Sequence, residues 1–135
     1  MRKRGNSLVS MPIILVICVV ILIVIGVNFI GIIKPFIMYE KLNKISEKYM
    51  FIIEKFGYLT NNEKNSLINE LKNKGFDISK ISINAPLSVK TYGELLNFDI
   101  IYDMYYNTLN FENGKIKLKN NVIKLKVTKN SYSKI

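Results

Sequence analysis

Glu94, Asp99 and Asp103 are three carboxylates within ten residues of one another. A carboxylate pair can pass protons to a substrate or hold a hard cation. On an extended strand Asp99 and Asp103 share a side two pleats apart, ~13 Å at ~3.3 Å per residue. That is too far to grip one small substrate or ion, and the pair reads as a solvated face. The remaining inventory is sparse. The chain has no His and one Cys, Cys18, which removes most zinc sites, any Cys–His nucleophile and any internal disulfide. No glycine-rich phosphate loop and no Ser–His–Asp set occurs. No catalytic residue, metal site or cofactor is expected, and the protein reads as a non-enzyme.

Two groups of residues could still make contacts. Tyr102 and Tyr106 fall with Phe98 on one side of a strand and read as packing, whereas Tyr105 and Ile101 fall on the other as a candidate subunit contact. Lys115, Lys117, Lys119, Lys124, Lys126 and Lys129 form a basic C-terminal stretch. Such a stretch suits an anionic partner: a cell-wall polymer, lipid headgroups or, without sequence specificity, nucleic acid. Alternating lysines are also an ordinary way to keep a strand edge solvated and unpaired.

The elements that must position these residues follow from how charge is segmented. Of 135 residues, 20 are Lys or Arg and 10 are Asp or Glu. Residues 1–33 hold only Arg2, Lys3 and Arg4; residues 34–114 hold ten Lys and all ten acids; residues 115–135 hold seven Lys and no acid. Gly5 to Ile33 carries no charge at all. Within it, Met11–Ile33 is apolar apart from Pro12, Gly26, Asn28 and Gly31. About 20 such residues cross the hydrocarbon core as a helix, the form that satisfies every backbone amide in lipid. The basic residues before it favour a cytoplasmic N-terminus, against Lys34, Lys41, Lys44 and Lys48 on the other side. A cleaved signal peptide ending at Val24-Ile25-Gly26 fits less well, because the apolar run continues to Ile33. A lipoprotein site at Cys18 fits poorly, with bulky Ile17 before it.

Beyond the apolar run, Met38, Leu42, Ile45, Tyr49, Ile52 and Phe56 recur at helical spacing, which extends the helix to a stop at Gly57. Pro35 should kink or loosen it. Thr60-Asn61-Asn62-Glu63 reads as a capping box in which each side chain satisfies an amide, opening a second helix with Leu67, Ile68 and Leu71 inward and Gly75-Phe76 closing it. The period then changes to two. Ile81 and Ile83 make a short strand, Glu94–Asn107 a long one, and Asn113-Gly114 a turn. Ile116 and Leu118 alternate with lysines, and Ile123, Leu125 and Val127 do so in the opposite phase. That reversal requires either a bulge or a second turn at Asn120-Asn121, and a bulge is favoured. The fold class is α+β: a long membrane-spanning helix continuing into a small head with a second short helix and an antiparallel sheet of three or four strands.

Arg2-Lys3-Arg4-Gly5-Asn6 before an apolar helix, an amphipathic extension and a small sheet domain resembles the layout of type IV pilin-like proteins. More closely, the chain resembles the TadE-like pseudopilins of tight-adherence (Flp) pilus systems, in the small-domain form of Gram-positive anaerobes. The residues that carry the likeness are Gly57 to Glu63, Leu67 to Asp77, Ile81-Ser82-Ile83, Tyr92-Gly93-Glu94 and the ending Val127 to Lys134. The resemblance implies a basic cytoplasmic leader over 1–5, cleaved by a prepilin peptidase between Gly5 and Asn6. It implies a transmembrane helix over 6–33 and an extracellular pilin-like head over 34–135. It also implies assembly with other pilin-like subunits through the helix, where Ser10 stands at the family's contact position and Gly26 and Gly31 are small enough for a neighbour to approach closely. Where that family usually carries an acid, this chain has Ser10, which can hydrogen-bond but brings no charge. The other function class that fits the residues is a monomeric anchored module that binds an anionic surface polymer through its lysine-rich C-terminus.

Overall fold

The computed structural model describes the backbone of residues 4–135 and the side chains from Val9 onward. Helix α1 spans Arg4–Phe56 and α2 spans Asn61–Asn73; strands β1 (Ile81–Asn84), β2 (Leu95–Glu112) and β3 (Lys115–Tyr132) follow. The sheet has the order β1-β2-β3, and β1 runs antiparallel to β2 with Ile81 opposite Tyr102 and Ile83 opposite Ile100. The α+β class is as expected, with three strands. The chain divides into two compact units, Met1–Ile33 with Tyr106–Asn121, and Lys34–Tyr105 with Val122–Ile135.

The second unit has the hydrophobic core. Leu42, Ile45, Tyr49, Met50 and Ile53 of α1 pack with Leu67 and Leu71 of α2. Alternate residues of β2 (Leu96, Phe98, Ile100, Tyr102, Met104) and Leu125 and Val127 of β3 complete it. Each fully buried Leu or Phe in such a cluster contributes about 1.5–3 kcal/mol. The α1 stripe differs from expectation. Ile53 is fully buried and Met50 nearly so, whereas Phe56 is 42% exposed. Ile52 is partly buried and packs on the core as expected, but a 3.6-residue period rotates the buried side steadily around the helix, so Ile53 takes the inward place and Phe56 turns outward. Pro35 is buried within α1, and the helix continues unbroken through it.

The local stops are largely those the residues dictate. Gly57 has φ +78° and ends α1, its N–H on Ile53 O at 2.7 Å. At the start of α2 the Thr60 hydroxyl oxygen accepts from Glu63 N at 3.3 Å. The reciprocal half of the expected box is replaced: the Glu63 carboxylate accepts from the Thr60 hydroxyl at 3.1 Å. At its end Phe76 N bonds Leu71 O and Gly75 N bonds Lys72 O, a Schellman closure around Gly75 at φ +92°. Phe76 then sets its ring edge-on to Tyr102 at 5.0 Å.

β2 is five residues longer than the expected Glu94–Asn107 strand at its far end, reaching Glu112. Asn113 (φ 53°) and Gly114 (φ 71°) form a two-residue turn with both φ positive, the geometry that matches strand twist. β3 then runs without interruption through Asn120-Asn121. The turn sets Glu112 opposite Lys115, and the count still holds at the far end, where Ser133 N donates to Glu94 O at 2.9 Å. Equal arms leave no net extra residue for the expected bulge and no room for a second turn.

Candidate assembly and membrane-contact surfaces

In the first unit, the distal part of the β2–β3 hairpin lies against α1. Leu109 N–H donates to Asn28 Oδ1 at 3.1 Å, and Asn28 Nδ2 donates to Leu109 C=O at 3.3 Å. One side-chain amide thus satisfies both backbone groups of a residue 81 positions away. Leu109 directs these groups away from β3, to a side of β2 that β1, ending opposite Tyr102, does not reach. The Asn28 amide takes the place of a neighbouring strand there, and an orphaned N–H and C=O beside an apolar helix would each cost about 1–3 kcal/mol. One turn along α1, Gly31 is buried, and a Cβ on it would sit 3.3 Å from Asn107 O and 3.5 Å from the Tyr106 ring. Val24, Val27, Asn28 and Gly31 form the covered stripe of this stretch of helix. From Val9 to Ile23 every residue of α1 is exposed, Val20 at 40% and Met11 at 75%. Among the described residues this is the one helix long and apolar enough to cross a membrane.

The residues singled out for assembly therefore have different surroundings. Gly26 has open space where a Cβ would project, whereas Gly31 is in close contact with the chain's own β2. Ser10 lies on the exposed stretch of α1. Arg2 and Lys3 lie outside the described residues, as do the surroundings of Gly5 and Asn6 at the expected cleavage point.

The six lysines are divided between the two units. In the second unit, Lys129 turns to Glu47 at 3.3 Å, Lys124 stands 4.0 Å from Asp103, and Lys126 is exposed. In the first unit Lys115, Lys117 and Lys119 are exposed at alternate positions of β3, with Lys117 3.6 Å from Glu112. Asp99 and Asp103 lie half-buried on the same side of β2, each with one carboxylate oxygen that accepts no hydrogen bond. Among the described residues no three His, Cys, Asp or Glu stand close enough to hold a metal ion. Tyr105 is 54% exposed with the Lys80 ammonium 4.4 Å from its ring centre, a cation–π contact.

Ion pairs tie α1 to its neighbours in the head. Lys48 holds Glu70 at 2.9 Å and Lys134 holds Glu54 at 2.8 Å. The Lys48 bond, with a further one from Tyr49, keeps the Glu70 carboxyl below its ordinary value despite partial burial. The Lys134 bond does the same for Glu54. Burial, together with the adjacent Glu70, pushes the Tyr49 hydroxyl up to about 12. With partners this exposed, each pair contributes about 0–1 kcal/mol and mainly fixes orientation.

No family model, no curated protein and no solved structure matches this chain. The contact missed from sequence is Asn28 with Leu109, and a signal for it exists. A carboxamide within 29 uncharged residues is costly facing lipid and calls for a partner.

Proposed function

We propose that the chain is a non-enzymatic, single-pass minor pilin or pseudopilin-like component of a type IV (Tad/Flp) pilus or related secretion apparatus. It has a cytoplasmic N-terminus and an extracellular head, and it joins other pilin-like subunits through α1. The observation that carries this reading is that one unbroken 53-residue helix serves two purposes. Among the described residues every member of its Val9–Ile23 stretch is exposed, and its Leu42–Ile53 stretch is the core helix of a small α+β head. A helix bare at one end and packed at the other suits a subunit that is held in a bilayer and then handed to like subunits. Gly26 supports the same reading, since open space at a glycine admits a neighbouring helix closely. Ser10, in place of an acid, supports a minor rather than a self-polymerising subunit.

N-terminal sequencing of the protein from membranes of cells with an active prepilin peptidase tests the reading. A start at Asn6 is expected; an intact Met1 or a start near Val27 contradicts it. Gly26→Leu should disturb co-purification with pilin-like subunits. Protease added to intact protoplasts should remove the head, and full protection of the head would reverse the orientation.

A further inference from the structure

The distal hairpin has a feature that assembly through α1 leaves unused. Because the turn sets Glu112 opposite Lys115, Phe111 faces Ile116 across the strands and Leu109 faces Leu118. These four side chains lie on one side of the hairpin. Phe111 is 67% exposed, Leu118 64% and Ile116 48%. Lys115, Lys117 and Lys119 project from the other side. The hairpin tip is thus amphipathic, with an uncovered apolar side and a basic side, and its β2 strand is bonded to the apolar helix at Asn28 and packed on Gly31.

Lengths relate this hairpin to a bilayer. The uncharged run Gly5–Ile33 has 29 residues, about nine more than the ~20 that cross a hydrocarbon core. Gly31 meets Asn107 and Asn28 meets Leu109, so β2 advances toward its turn as α1 is followed back toward its N-terminus. Four residues remain from Leu109 to Asn113, ~13 Å of strand at ~3.3 Å per residue. With Asn28 and Gly31 in the surplus at the outer end of the run, the tip is carried down to the level where headgroups meet acyl chains. An amphipathic element with aromatic and aliphatic residues on one side and lysines on the other is stable at that level, because lysine stems reach back to phosphates.

We infer that the tip of the β2–β3 hairpin is a second membrane contact. Phe111, Ile116 and Leu118 enter the outer boundary of the bilayer that α1 crosses, and Lys115, Lys117 and Lys119 bind anionic lipid headgroups. This rests on the reading of α1 as the membrane anchor, and the test separates the two.

The chain has no Trp, so a single introduced indole reports its own surroundings. Phe111→Trp, Ile116→Trp and Val20→Trp are placed separately in the full chain. Each is reconstituted in phosphatidylcholine vesicles containing phosphatidylglycerol, with and without lipids brominated high on the acyl chain or near its end. Quenching of Val20→Trp by deep bromines establishes the anchor. Phe111→Trp and Ile116→Trp are then expected to emit to the blue of an indole in water and to be quenched by the shallow bromines. Replacing Lys115, Lys117 and Lys119 together by Gln should at least halve that quenching. Water-like, unquenched emission at 111 and 116 alongside a quenched Val20→Trp overturns the inference and leaves the anchor standing. Blue emission that bromines do not quench means that protein covers the patch, and also overturns it. An unquenched Val20→Trp overturns both readings.

Discussion

The two ends of the β2–β3 hairpin are built on one pair of strands and have opposite side-chain chemistry. Toward the chain termini the odd positions of β3, Leu125 and Val127, are buried in the head core and the even positions Lys124 and Lys126 are exposed. Toward the turn the odd positions are Lys115, Lys117 and Lys119, and the even positions Ile116 and Leu118 are apolar and exposed. The two strands are equal in length, 18 residues each, so neither has a net extra residue. A reversal of apolar phase along a strand is therefore not by itself evidence of a bulge. It also arises when the two sides of a regular strand meet different surroundings at its two ends.

The largest difference between the ends should appear in stability. Phe98, fully buried in the core, replaced by Ala should cost about 3–5 kcal/mol through lost burial and the cavity left behind. Phe111→Ala should change the stability of the full chain in detergent micelles by less than about 0.5 kcal/mol. Denaturant titration of both variants checks the contrast, and a large loss at Phe111 would mean that the tip has a core of its own.

A smaller effect separates the two glycines of α1. Gly26→Ala meets no neighbouring atom, and the helix gains roughly the 0.8–1 kcal/mol by which Ala exceeds Gly in propensity. Gly31→Ala brings the same gain but sets a methyl 3.3 Å from Asn107 O, a backbone atom that must give way. Thermal unfolding should place the Gly31 variant below the Gly26 variant; equal midpoints would show that the helix–strand contact is loose.

The pH dependence belongs to the head. Tyr49 titrates ordinarily at 10.0 and is raised to about 12 when folded. Between these values the unfolded chain has lost a proton that the folded chain keeps, so stability falls as pH rises through the window. Tyr49→Phe should lose less stability than wild type between about pH 10 and about pH 12. On the acid side Glu54 and Glu70 have lowered values, so their contribution is present above the ordinary carboxyl value and is lost as pH falls from there through the lowered folded values. Glu70→Gln should flatten that acid limb by a few tenths of a kcal/mol, as suits an exposed pair.

Much of the fold was legible because its signals are local. Thr60 to Glu63, Gly75-Phe76 and Asn113-Gly114 each define a cap or turn within a few residues, and the change from period 3.6 to period 2 separates α2 from the strands. Counting in fours and threes passes over Ile53, because the helix turns continuously. The partner of Asn28 was not legible, because it lies 81 residues away and consists of backbone, which has no residue type to recognise. The length of β2 was hidden for a related reason. Its last residues, Thr108 to Glu112, have no β1 beside them, and part of that edge is met by a helix side chain.

The joining of the apolar helix to the distal hairpin is the centre of this account, and amide hydrogen exchange at Leu109 tests it most directly. In the full chain in detergent micelles the Leu109 N–H should exchange slowly, held by Asn28 Oδ1. Asn28→Leu keeps the side chain's approximate size and removes both hydrogen bonds, and it should accelerate exchange at Leu109 by about tenfold or more. Exchange at Ile100 in the head core should not change. Rapid exchange of Leu109 in the wild-type chain, or a rate that Asn28→Leu leaves unaltered, would contradict the account.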